Sequence, residues 1–265
     1  MGLALKNGVW ELQAAGLAPV VVADLNFAAL ASTSWSDGTY TIDGIDLEVI
    51  NSARMDTIGP DGSTGVVMDS KTGTTHEADN RDTGRLHVDL ADVYSPGTWY
   101  LTKPMWVTLE FAAALDPGTT TTRQLDLAAD SGTGSGGSGS SATRFCSSQL
   151  VGTAGGAAVR GFRSQAGSGD FGSSATLTQP TWVGMLIEPV SVQAFGGTGS
   201  PPSSPSLATH ASPSPSLNAT GTQDPDWFTP EAFQASTRTL CIAVAGKWTT
   251  APILKRLRFY TLDPS

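Results

Sequence analysis

The feature that most constrains this chain is the spacing of its apolar residues. They recur at every second position in short runs, and no long helical pattern interrupts them. Ile45, Leu47 and Val49 make one such set, and Met105, Val107, Leu109 and Phe111 another; Leu257 and Phe259 close the chain in the same way. Side chains alternate across a strand, so a period of two puts one face toward a core and the other away. Turn residues such as Gly, Pro and Asp separate many of the runs. Asp43-Gly44 sits between two alternating runs, and both residues tolerate the positive φ of a tight hairpin turn, so the pair predicts a hairpin.

The same reading extends along the chain. Extended segments are predicted in VVADLNFAAL from Val20, in GVVMDS, in TGRLHVDL and in RQLDLAA. The strand carrying Met105 to Phe111 starts just after Pro104, with Trp106, Thr108 and Glu110 on its second, solvent-side face. ATRFCSSQLVG and AAVRGFRSQ read as a hairpin around Ala154-Gly155-Gly156. PTWVGMLIEPVSVQAF reads as one extended segment broken by Pro189, and STRTLCIAVAG as the most buried strand. Pro230 and Glu231 suit a first helical turn, which predicts a short helix there. About a dozen short strands with turn residues between them imply an all-β fold, an antiparallel two-sheet β-sandwich. Seven Trp and nine Phe suffice for its core.

Residues 20–265 therefore read as one sandwich domain. Residues 1–19 read as an N-terminal arm with scattered apolar residues and no clean period; Leu3, Leu5, Val9, Trp10 and Leu12 are its candidate assembly contacts. Residues 131–141 are a Gly/Ser-rich loop. Residues 196–221 are Pro/Ser-rich and nearly uncharged, a long loop or second arm suited to wrapping over a partner.

Charge narrows the partners. Fifteen Lys and Arg against 24 Asp and Glu give a net charge of −9, which repels phosphate backbones and excludes nucleic acid as the main partner. Lys255, Arg256 and Arg258 read as solvent-facing charges on a strand. The apolar runs are too short to span a bilayer, so no membrane insertion is expected. The first residues lack the basic and apolar regions of an export signal, which predicts synthesis in a cytoplasm. Cys146 and Cys241 have no CxxC spacing and are expected to be buried, reduced and inert.

Few groups suggest catalysis. Glu is scarce, and no Glu-x-Asp-x-x-Glu run of the jelly-roll glucanases occurs. Asp46 and Glu48 share a strand face, with Asp43 nearby, and read as a polar solvent face. His76, His87 and His210 form no HExxH pattern, and no Ser sits in a G-x-S-x-G elbow. A Ser-His-Asp site assembled from distant residues stays open. His87 reads as an ordinary strand residue. Asp56 with Asp61, and Asp79 with Asp82, are the loop carboxylates to weigh as calcium ligands, but Asp is also an ordinary turn residue. No metal and no cofactor is expected.

Three stretches carry a family resemblance: Trp35-Ser36-Asp37-Gly38-Thr39-Tyr40-Thr41-Ile42-Asp43-Gly44, Trp106-Val107-Thr108-Leu109-Glu110-Phe111, and Leu257-Arg258-Phe259-Tyr260 near the end. Together they resemble a concanavalin A-like, or laminin G-like, jelly roll of the kind found in tailed-bacteriophage virion proteins. The resemblance spans roughly Asp24 to Asp263. It implies a non-enzymatic structural protein at the head surface or tail, made in the host cytoplasm and localised to the virion. Its partners would be other virion proteins and copies of itself, with host-surface glycan as a further ligand. The alternatives it leaves open are a lectin-like receptor-binding module and a polysaccharide hydrolase, since the fold alone does not assign function. Trp99 and Tyr100, with Trp35 and Tyr40, are the candidate carbohydrate contacts, because aromatic rings stack on sugars. Circular dichroism should be strand-dominated; a helix content above about a third would contradict the sandwich.

Overall fold

The structure is a computed structural model. It describes residues 2–6, 9–13, 19–71, 84–94, 105–118, 123–130, 145–153, 156–165, 168–188, 191–205, 211–213 and 239–262. The helix expected at Pro230 and Glu231 and the loop at 131–141 lie outside them.

In chain order the strands begin with β1 (Gly2–Lys6), β2 (Val9–Gln13), β3 (Val20–Asn26), β4 (Gly38–Ile42), β5 (Ile45–Ile50) and β6 (Met55–Pro60). β7 (Val66–Ser70), β8 (Gly84–Asp89), β9 (Met105–Phe111), β10 (Gln124–Asp130), β11 (Phe145–Thr153) and β12 (Gly156–Gln165) follow. The last are β13 (Ser168–Leu177), β14 (Trp182–Glu188), β15 (Ser191–Gly197), β16 (Ala211–Pro213), β17 (Thr239–Ala245) and β18 (Ile253–Thr261). One sheet runs β13-β12-β11-β10-β17-β8-β5-β4. The other runs β16-β15-β14-β9-β18-β7-β6, and β3 pairs with β18. The pairings among the described residues are antiparallel, as in β9 with β14 and β10 with β17. The expected all-β, two-sheet sandwich is therefore the architecture observed.

The alternating residues build the core as the spacing requires. Leu47, Val49, Leu86, Val88, Leu125, Leu127, Leu240, Ile242 and Val244 from the first sheet join Val107, Leu109, Phe111, Leu257 and Phe259 from the second in one buried cluster. The Asp43-Gly44 hairpin forms as expected. Ile42 faces Ile45 across it, and φ is 52° at Asp43 and 82° at Gly44, the double left-handed backbone of a tight hairpin turn. The break expected at Pro189 is observed: β14 ends at Glu188, β15 begins at Ser191, and the two strands pair antiparallel with Glu188 opposite Ser191. β13, which is Gly- and Ser-rich and was not expected as a strand, extends the first sheet beyond β12.

The second face of β9 differs from expectation. Trp106 and Thr108 are buried, not solvent-facing. The Trp106 ring meets Phe195 edge-on at 5.0 Å and Trp182 at 6.5 Å, and its Nε1 donates to the Pro202 carbonyl at 3.0 Å. Tyr260 and Leu186 complete this satellite cluster. Gly184 makes room for it, since a Cβ there would lie 2.5 Å from Trp106 Cη2. The charges of β18 are likewise paired: Arg256 Nε donates to Asp24 Oδ1 at 2.6 Å, and Lys255 Nζ to Glu110 Oε1 at 2.7 Å. Gly184→Ala should lower stability by about 1–3 kcal/mol, because both backbones that fix the contact are held in the sheet. A urea denaturation midpoint equal to that of the parent chain would contradict this.

Candidate functional site

The outer face of the first sheet holds the described groups with the most reactive chemistry. β8 sends Leu86 and Val88 into the core, which turns His87 to the opposite face. Register places Glu48 of β5 on one side of His87 and Cys241 of β17 on the other. Ala128 and Ala243 form a small buried cluster with Cys241. His87 is only 2% exposed, and neither ring nitrogen has a hydrogen-bond partner among the described residues. Burial first, and the nearby Arg85 guanidinium second, hold the imidazole down at about 4. The ring is therefore neutral at pH 7, and it is not hydrogen-bonded to Cys241. A thiol–imidazole pair acts as nucleophile and base through that hydrogen bond. The row is thus a thiol, an imidazole and a carboxylate side by side, without the contact that would couple them.

Cys241 is buried, as expected for a small hydrophobe. Cys146 is opposite Ala129 of β10, and Cys241 is opposite Ala128 of the same strand. The two cysteines thus stand two strands apart, roughly 10 Å, which is beyond disulfide reach.

The other chemical candidates are dispersed. Asp46 and Glu48 are exposed on β5, and Asp46 accepts from the Thr41 hydroxyl at 2.6 Å. Asp56 pairs with Lys247 at 2.8 Å, together with Asp69. Asp61 instead closes its own turn: its Oδ1 accepts the amides of Ser63 at 2.8 Å and Thr64 at 2.7 Å. Those bonds, with the Thr64 hydroxyl the largest contributor, hold the Asp61 carboxyl well below the usual carboxylate range. The two carboxylates weighed together as calcium ligands are therefore engaged separately. Among the described residues, no three His, Cys, Asp or Glu side chains are grouped so as to hold a metal ion. Asp79 and Asp82 lie outside those residues.

Of the candidate sugar contacts, Trp99 and Tyr100 fall outside the described residues. Trp35 is 7% exposed and stacks on Tyr40 with centroids 4.7 Å apart. The Tyr40 hydroxyl accepts the Ser36 amide at 2.9 Å and donates to the Ser36 carbonyl at 3.1 Å. These two rings brace the loop that enters β4.

Within the arm, Gly2–Lys6 and Val9–Gln13 are strands, which the sequence did not suggest. Among the described residues, β1 and β2 pair with each other and with neither sandwich sheet. Leu3 is opposite Leu12, and Leu5 is opposite Trp10, so these four positions share one face of the hairpin. Val9, opposite Lys6, falls on the other face. Asn7-Gly8, the two residues between the strands, was the signal that the sequence reading missed.

The comparisons add little to this geometry. No protein-family model and no curated protein matches the chain. Among solved structures it is similar to a glycosyl hydrolase family 16 protein from Mycobacterium smegmatis str. MC2 155. The identity is 10% and the TM-score 0.44, over 91% of this chain and 100% of that one. A likeness at that level carries no argument about chemistry.

His87 makes a testable pH dependence. Its folded value lies below the ordinary 6.5, so the unfolded chain binds the proton more readily. The fold keeps this contribution above pH 6.5 and loses it as pH falls toward 4, by about 3 kcal/mol at the lower end. Urea midpoints of the parent chain and His87→Leu, measured from pH 7 to pH 4, should diverge on this limb. Parallel curves would contradict it.

Proposed function

We propose that this chain is a non-enzymatic structural component of a phage virion, at the head surface or tail, and that it works through protein–protein contacts. One observation supports the reading: among the described residues the hairpin β1–β2 pairs with neither sheet, and its register puts positions 3, 5, 10 and 12, all apolar, on the same side of it. An isolated two-stranded hairpin is at best marginally stable in water, and gains stability when its apolar face is covered. The described core is built mainly by residues of the two sheets, and the proposal gives the hairpin the role of connector. The host-glycan reading gains no comparable support, since Trp35 and Tyr40 are committed to the loop before β4.

The test is deletion of residues 1–19. The truncated chain should keep the urea midpoint of the sandwich, because no described strand of either sheet pairs with β1 or β2. It should fail to incorporate into particles. Incorporation at the parent level would overturn the proposal.

A further inference from the structure

The sequence holds three Asp-Gly pairs, Asp37-Gly38, Asp43-Gly44 and Asp61-Gly62. Such a pair carries its own reaction, because glycine has no Cβ to obstruct attack by its nitrogen on the neighbouring side chain. The Gly nitrogen bonds to Asp Cγ, the Cγ–OH bond of the protonated carboxyl breaks, and the hydroxyl leaves with the amide proton as water. The five-membered succinimide so formed then takes water back. Opening at Cγ restores Asp. Opening at the backbone carbonyl gives isoaspartate, in which the main chain runs through Cβ and Cγ and the α-carboxylate hangs free. The sum is an isomerisation that needs only solvent.

The fold sets the three pairs apart. Asp37 is tied to Ser52 twice: its Oδ1 accepts the Ser52 amide at 2.6 Å, and its own amide donates to the Ser52 hydroxyl at 3.2 Å. Gly38 is paired into β4 opposite Val49. Asp61 is tied more closely. Its Oδ1 accepts the amides of Ser63, Thr64 and Gly65, and its Oδ2 accepts from the Thr64 hydroxyl. These bonds hold Asp61 as the carboxylate, a poor target for a nucleophile.

Asp43 differs on each count. Among the described residues, no hydrogen bond or ion pair engages its carboxylate. Asp43 and Gly44 are both exposed, and the space around Gly44 is open. They are the two central residues of a tight turn whose flanking pair is Ile42 and Ile45, so the Gly44 amide lies outside the ladder. Among the described residues β4 ends the first sheet, which leaves this hairpin one neighbour only, β8 beside β5. Hairpin ends of this kind open at the low end of the stability range, and opening lets Asp43 leave its left-handed backbone and bring Cγ to the nitrogen.

We propose that Asp43-Gly44 is a site of isoaspartate formation in the folded chain, and that the fold protects Asp37-Gly38 and Asp61-Gly62 from the same reaction. The product presents a free α-carboxylate, the group that an isoaspartate-specific carboxyl methyltransferase esterifies. It also lengthens the main chain inside a turn built for two residues. Ile42 and Ile45 are buried directly opposite each other, so the added atom disturbs the register that keeps both on the inner face. The isomerised chain should therefore unfold at a lower urea midpoint.

The test holds the full chain at mildly acidic pH and raised temperature, once in native buffer and once in urea. Each sample is then digested with an endoprotease that cuts before Asp but not before isoaspartate. The native sample should lose cleavage at position 43 and keep it at 37 and 61, and the uncut peptide should accept a methyl group from the methyltransferase. The urea sample should lose cleavage at all three positions. Cleavage retained at 43 in the native sample overturns the proposal, as does equal loss at all three positions there, or an uncut peptide that accepts no methyl group. Positions 37 and 61 remaining intact in urea would show that sequence, not the fold, selects the site, and would overturn it as well.

Discussion

Burial of one face of each sheet against the other is the constraint on which the rest depends. Val107, Leu109, Leu257 and Phe259 come from neighbouring strands of one sheet, and Leu47, Leu86, Leu127 and Ile242 from the other; all belong to one continuous core. A fully buried side chain of this size contributes roughly 1.5–3 kcal/mol. With the inner positions fixed, a one-residue slip in any central strand would reverse its faces. The outer positions are fixed by the same registers: His87 beside Cys241, Trp106 beside Tyr260 and Arg258 beside Asp24. The chemistry of the outer surface is therefore a consequence of packing on the inner one.

The strands with strong alternation and β-branched or aromatic residues were legible in the sequence. β5, β9, β17 and β18 lie where spacing put them, and the Asp43-Gly44 turn joins its hairpin. β13 was not legible because SGDFGSSATL has neither the propensity nor the pattern of a strand; β12 supplies its partner. The burial of Trp106 was missed for a different reason. Period two says that two faces differ, but not that segment 198–205, with Pro202, returns to one of them. Such long-range cover leaves no local signal. Asn7-Gly8 is the one local mark of the arm's hairpin, whose apolar positions come together only when the two short strands pair.

The candidate site was legible in kind more than in place. Leu3, Leu5, Trp10 and Leu12 were singled out as contacts, and pairing adds that they share one face while Val9 does not. The exposed valines of β3 were read as part of a strand, which they are; only the sheet order reveals that this strand is an edge. His87 shows the converse. Its position on a strand was evident, but its burial without a hydrogen bond depends on groups from other strands. That burial holds the imidazole neutral at pH 7, and the predicted acid limb of stability follows from it.

The central claim is that the sandwich completes itself and leaves the first hairpin to find its cover elsewhere. Amide hydrogen exchange of the free chain and of the chain within particles tests it most directly. Open, uncovered elements exchange at the low end of the stability range, and core strands at the global limit. The account predicts fast exchange of residues 2–13 in the dilute free chain and strong protection of them in the particle, with β9, β17 and β18 protected alike in both states. Equal and slow exchange of residues 2–13 in the free chain and in the particle would show that the hairpin is already part of the folded unit, and would contradict the account.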